Sequence, residues 1–173
     1  MADAVRNPRV LVAGIGNVLR GDDGFGAAVI DQLKSTLAHP TVTLVETGIA
    51  GVGLVHHLMD GYDALIIVDA VERGAEPGRV FVLEPDLSRL AHDSTSPIDL
   101  HQTDAGGVIR MAAALGHVPA RVWIVGCQPV DCDELGAALS EPVARAIPVA
   151  AAHVRDLVAA IVTAATGDSH AAR

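Results

Sequence analysis

The sequence predicts an α/β fold: a three-layer α-β-α sandwich around a mostly parallel five-stranded sheet, with one edge strand antiparallel. Three observations predict it. Short runs rich in Val, Ile and Leu recur along the chain, as strands buried on both faces require. Longer segments with helical spacing alternate with them, as right-handed crossovers between parallel strands require. The apolar half of the composition is mainly Ala, Val, Leu and Ile, and only Phe25, Tyr62, Phe81 and Trp123 are aromatic.

The elements follow in order. Residues 9–14, "RVLVAG", form an apolar run ended by glycine and read as a buried strand. From Phe25 onward Ala28, Val29, Leu33 and Leu37 repeat at helical spacing, with Asp22 and Asp23 placed ahead as an N-cap and an acidic first turn. Residues 42–46 read as a second strand ending in the turn "ETGIAG", and a short helix is expected over about 52–59. "ALIIVD", 64–69, is the clearest buried strand. "ERGAEPG" is a turn by its Gly and Pro content, and 79–83 is a fourth strand suited to a hairpin on one edge. Residues 85–99 show no periodicity, a helix is expected over about 102–115, and 121–126 is a fifth strand. Ser140 and Pro142 open a long last helix to about 165, with a bend expected at Pro148. The 173 residues fit one domain with a structured core over about 9–165, and no repeat or linker divides them.

Composition excludes some functions. A formal net charge of −9 repels polyanions, and the scarcity of aromatic residues leaves few platforms for stacking bases, so nucleic acid is not an expected partner. Cys127 and Cys132 are too few for a disulfide framework and suit reduced thiols. The opening "MADAVRNPRV" shows no secretory pattern, and no apolar run of the roughly 20 residues that a membrane span requires is evident. A cytoplasmic protein without a membrane partner is expected.

In open parallel sheets, ligands bind outside the carboxyl ends of the strands. That rule selects the loop after the first strand (Asn17, Asp22, Asp23), the loop after the second (Glu46) and the loop after the third (Asp69, Glu72). His101, at the start of the helix leading to strand five, is expected at the same edge. Two carboxylates and one imidazole form a donor set for a divalent transition metal with positions left open. Each residue also has a structural alternative. Asp23 can cap a helix, Asp69 can serve a turn, and His101 can be a surface residue, with His56, His57 and His92 as competing histidines. The glycines of "GIGNVLRG" lack the dinucleotide-loop spacing, and no Gly-Lys-Ser/Thr follows for a phosphate loop.

The stretch "VLVAGIGNVLRGDDGFGAAVIDQL" resembles the amino-terminal signature of the nickel–iron hydrogenase maturation proteases. "ALIIVDAV", "DLHQTDAGGVI" and "VGCQPVDCDELGAALSEPVARAIP" resemble further segments of that family, in the same order. The resemblance spans about 9–163. It implies that Asp23, Asp69 and His101 contact metal and carry the catalysis. Relatives carry an Asp-Gly-Gly-Thr type turn after strand two where this chain has Glu46, Thr47, Gly48 and Ile49, so Glu46 stands as an auxiliary group at most.

The resemblance further implies an endopeptidase that removes a short carboxy-terminal extension from a hydrogenase large-subunit precursor after nickel insertion. The nickel is then supplied by the precursor, no organic cofactor is needed, and a monomer is expected so that the partner can reach the sheet edge. The rival readings are a non-catalytic metal-sensing adaptor on the same triad, and a nucleotide-binding module of flavodoxin-like shape.

Overall fold

The structure is a computed structural model and describes residues 6–48, 52–88 and 105–167. The strands are β1 (Val10–Ile15), β2 (Val42–Gly48), β3 (Ala64–Ala70), β4 (Val80–Leu83) and β5 (Arg121–Cys127). They form one sheet in the order β2-β1-β3-β5-β4. The pairs β1–β2, β1–β3 and β3–β5 are parallel, and β4 runs antiparallel to β5 on the edge, as the sequence predicts. The helices are α1 (Phe25–Thr36), α2 (Val52–Leu58), α3 (Ala105–Ala114) and α4 (Glu141–Gly167). The first three residues of the predicted third helix, 102–104, lie outside the described residues.

Strand alternation sorts the core into two layers. Val10, Val12, Ile66 and Val68 face Phe25, Ile30, Leu33 and Val154 of α1 and α4. Leu11, Ala13, Leu65 and Ile67 face Leu54, Leu58, Val108 and Ile109 of α2 and α3. Every β1 residue is buried, as are the first six of β3, which explains why these two strands read as unbroken apolar runs.

Helix α1 sits unusually close to the sheet, and two glycines permit it. A Cβ built on Gly26 would lie 2.3 Å from Ile15 O and 2.5 Å from Val68 O. One built on Gly14 would lie 2.5 Å from Gly26 O. The first turn of α1 therefore rests in the notch between the ends of β1 and β3.

Two expectations change. Asp22 and Asp23 do not cap α1. They lie in a separate 3-10 turn, Gly21–Gly24, and the cap residue is Gly24, without a side-chain cap hydrogen bond. Pro142 opens α4 and the helix runs on past Pro148 as one element, as expected. Residues Glu141–Ala164 of α4 are also long and apolar enough to cross a membrane by length and composition, against the expectation that no such run exists. Alanines and valines diluted by Arg145, His153 and Arg155 hid that length. One face of α4 packs on α1 and the sheet through Val143, Ala146, Ala150, Val154, Val158 and Ile161, as a core helix does.

Candidate active site

The chain leaves β1 for β2 on one side, and leaves β3 for β4, beyond β5, on the other. Neighbouring strands whose connections diverge in this way open a crevice at their carboxyl ends. Asp23 follows β1 and Asp69 lies near the end of β3, so both carboxylates belong to the strands flanking that crevice.

Asp23 is half-buried, and its position is set by the loop folding back on itself. Its Oδ2 accepts a hydrogen bond from the Asn17 amide at 2.8 Å, and its own amide donates to Arg20 O at 3.0 Å. The Asn17 side chain accepts from the Leu19 amide at 2.9 Å. Gly16 makes the fold-back possible: its φ is +122°, and a Cβ there would lie 1.9 Å from Asp23 O.

Asp69 is buried, pairs in register with Gly126 of β5, and lies one residue past the last β3–β1 pair, Val68 with Gly14. The turn that follows it is organised by buried Gln128, whose Oε1 accepts from the amides of Arg73 (2.7 Å) and Ala75 (3.2 Å). Sequence reasoning passed over Gln128, whose only signal was its place just after the fifth strand.

Cys132, read from the sequence only as a reduced thiol, feels both acids. Burial pushes the half-buried Cys132 thiol up to about 12, and the carboxylates of Asp23, Asp22, Asp69 and Asp131 push in the same direction. Cys132 therefore lies within the field of both candidate carboxylates, and its thiol is neutral at physiological pH. Cys127, at the end of β5, is likewise raised to about 11 by burial and by Asp22.

Glu46 is engaged by a residue of α1. It shares the α1 face of the sheet with Val42 and Leu44, whereas Asp69 alternates with Ile67 onto the other face. It forms a salt bridge with Lys34 of α1, and that hydrogen bond holds the Lys34 ammonium above its usual range. There it lines a groove of about 330 Å³ with Val18, Gly24, Ala28 and Leu139. His101 and His92 lie outside the described residues. Among the described residues, no three His, Cys, Asp or Glu side chains gather closely enough to hold a metal ion. What the described part brings to one edge is two carboxylates, one after β1 and one at the end of β3.

Comparisons with known proteins point the same way as this geometry. The sequence profile described as hydrogenase maturation protease matches residues 27–156. The hydrogenase expression/formation protein HupD of Rhizobium leguminosarum bv. viciae is 38% identical over 144 residues, covering 83% of this chain and 70% of that protein. Among solved structures, the hydrogenase 2 maturation peptidase of a Thaumarchaeota archaeon superposes with a TM-score of 0.68 at 33% identity, covering 87% of this chain and 98% of that one. The hydrogenase maturating endopeptidase HybD of E. coli gives a TM-score of 0.69 at 28% identity, over 84% and 89% of the two chains.

Proposed function

The chain belongs to the hydrogenase maturation protease family, and on that premise we propose that it removes the carboxy-terminal extension of a nickel-loaded hydrogenase large-subunit precursor. What supports the reading is placement: Asp23 follows β1 and Asp69 lies near the end of β3, the two strands that flank the crevice.

Two carboxylates alone are a poor cage for an ion, because a stable site needs four or more donors. They suit an ion that arrives with donors of its own. In this reading Asp23, Asp69 and His101 add oxygen and nitrogen contacts to nickel held by the precursor, and nickel remains part of the substrate. The ion supplies Lewis acidity at the scissile segment when bound. Asp23 and Asp69 orient it; water adds to the polarised carbonyl, and a carboxylate of the site takes the water's proton and passes it to the departing amine as the C–N bond breaks. Glu46, ion-paired with Lys34, lines the groove beside the first loop and stands as an auxiliary group at most.

The surroundings suit a protein substrate better than a small molecule. Val18 and Leu19 on the first loop, and Val130 and Leu135 on the loop after β5, are each more than half exposed. Exposed apolar side chains close together at a site mark a surface for another macromolecule. The same reading favours a monomer, whose sheet edge stays open to the precursor. It also favours the cytoplasm, where unpaired cysteines such as Cys127 and Cys132 stay reduced.

The test uses the purified protein with nickel-loaded and nickel-free precursor, followed by mass spectrometry. Loss of the extension from the loaded form alone is the expected result. Tight binding of loaded precursor without any mass loss refutes the protease and favours a metal-sensing adaptor.

A further inference from the structure

The two adjacent acids of "GDDG" do different work. In a 3-10 turn successive side chains diverge by about 120°, because three residues complete a turn. Asp23 stays half-buried and turns back on its own loop, accepting from the Asn17 amide. Asp22 turns inward and is only 1% exposed. A buried carboxylate is costly unless its oxygens are satisfied, and a carboxylate offers about four acceptor sites. Asp22 uses them on one target, the segment between β5 and α4. Its Oδ2 accepts from the Val130 amide (2.7 Å), the Ser140 hydroxyl (2.9 Å) and, at longer range, the Asp131 amide (3.4 Å). Its Oδ1 accepts from the Ser140 amide at 2.7 Å. Its backbone amide donates to Asp131 O at 3.0 Å.

These partners are uncharged donors, and Ser140 immediately precedes α4, so the charge also sits at the positive end of a 27-residue helix. The surrounding backbone is built for the same junction. Gly21 has φ +49°, and a Cβ there would lie 2.9 Å from Asp131 O. Arg20 bridges Leu135, and the Gly136 amide donates to Leu19 O at 2.7 Å.

We infer that Asp22 is a positioning residue: its buried carboxylate fastens the Asp23 loop to the start of α4 and thereby sets where the Asp23 carboxylate points. Without that fastening, the turn is held to the rest of its own loop mainly by the Asn17–Asp23 and Arg20–Asp23 hydrogen bonds. Asp22 reaches no substrate in this account and acts only through its neighbour.

The activity arm of the test rests on the protease reading; the spectroscopic arm does not. Asp22→Asn keeps the shape, removes the charge and sets an amide NH2 against a ring of donors. Ser140→Ala removes one hydroxyl donor only. Both variants are measured well below their melting temperatures, for cleavage of loaded precursor and for hydrogen exchange of the Asn17 amide, the proton that Asp23 accepts.

For Asp22→Asn the expected result is a fall in kcat of at least about tenfold with KM changed less than about threefold. Asn17 exchange should accelerate at least tenfold, and Ser140→Ala should move both quantities the same way by less. A residue that only stabilised the fold would lower the melting temperature and leave both quantities at wild-type values in the folded protein. That result overturns the inference. If Asp22→Asn does not fold, Ser140→Ala decides by the same two readings. If the wild-type chain cleaves no precursor, the protease reading fails and the Asn17 exchange rate alone decides the role of Asp22.

Discussion

Gly26→Ala and Gly53→Ala are the same substitution inside two helices, and the structure predicts opposite signs for them. Alanine in place of glycine at a compatible helical position stabilises by about 0.4–1 kcal/mol, chiefly by restricting the unfolded chain. Gly53 in α2 is such a position, because the nearest atom a Cβ would meet is Thr47 O at 3.8 Å. Gly26 is not. Its Cβ would lie 2.3 Å from Ile15 O, and real Cβ atoms essentially never approach closer than 3.0 Å, so α1 must retreat by about 0.7 Å or more. The obstructing atoms are backbone on two strands, and neither can rotate away. Overpacking of this kind costs about 1–3 kcal/mol, leaving a net loss of about 1–2 kcal/mol after the gain in propensity.

For a chain of this length that is a fall in melting temperature of about 2–8 °C. Urea unfolding of both variants measures it. The midpoint should drop for Gly26→Ala and rise slightly for Gly53→Ala. The retreat also moves the turn holding Asp23, and a misplacement approaching 1 Å costs on the order of a hundredfold in rate, so cleavage by Gly26→Ala should fall by more than its unfolded fraction accounts for. A Gly26→Ala protein as stable as wild type would refute the close seating of α1 and the argument built on it.

Three further outcomes are expected. Asp23→Asn and Asp69→Asn should each remove precursor cleavage while circular dichroism melts stay cooperative; His101→Ala should do the same and His92→Ala should not, and equal loss at both would mean the wrong histidine was chosen. The Cys132 thiol, raised to about 12, should be nearly all protonated at pH 8, because an acid whose pKa is raised stays neutral until the pH approaches it. Its alkylation by iodoacetamide should therefore run at least about tenfold slower than that of a thiol with the ordinary pKa of 9.0, and should climb about tenfold per pH unit from 8 to 11; rapid labelling at pH 8 would contradict that environment. Phe25→Ala empties a fully buried site in the first turn of α1 and should cost about 3–5 kcal/mol in urea unfolding.

Much of the fold was legible because its signals are local. β1 and β3 are buried on both faces, so their apolar runs are uninterrupted. The glycine-rich turn before β4, together with its short length, marked an edge strand. The face of Glu46 was legible too and was missed: Val42, Leu44 and Glu46 follow the two-residue period onto the face that α1 covers. The role of Asp22 was not legible. Its partners lie 108 to 118 residues further along the chain, and nothing in a local window distinguishes an acid that caps a helix from one that crosses to another loop. The proximity of Cys132 to Asp23 and Asp69 was hidden for the same reason, since it depends on how the loop after β5 folds over the sheet edge.

The glycines of the first loop separate the protease from its nucleotide-binding rival on physical grounds. A phosphate-binding loop uses glycine so that free backbone amides can converge on an anion. Here the loop amides are already engaged: Asn17 donates to the Asp23 carboxylate, Leu19 to the Asn17 side chain, Arg20 to Asn17 O, Asp22 to Asp131 O and Asp23 to Arg20 O. The glycines allow backbone to meet backbone instead, at Gly16 against Asp23, Gly21 against Asp131, and Gly26 against Ile15 and Val68. The loop thus sets the Asp23 carboxylate, with Asp69 at the end of the neighbouring strand, where a nucleotide site would converge amides, and a phosphate placed there would meet charge of its own sign. A nucleoside triphosphate with magnesium should therefore leave the melting temperature unchanged. A rise of several degrees at millimolar nucleotide would show that amides had become free to bind it, and would return the rival to first place.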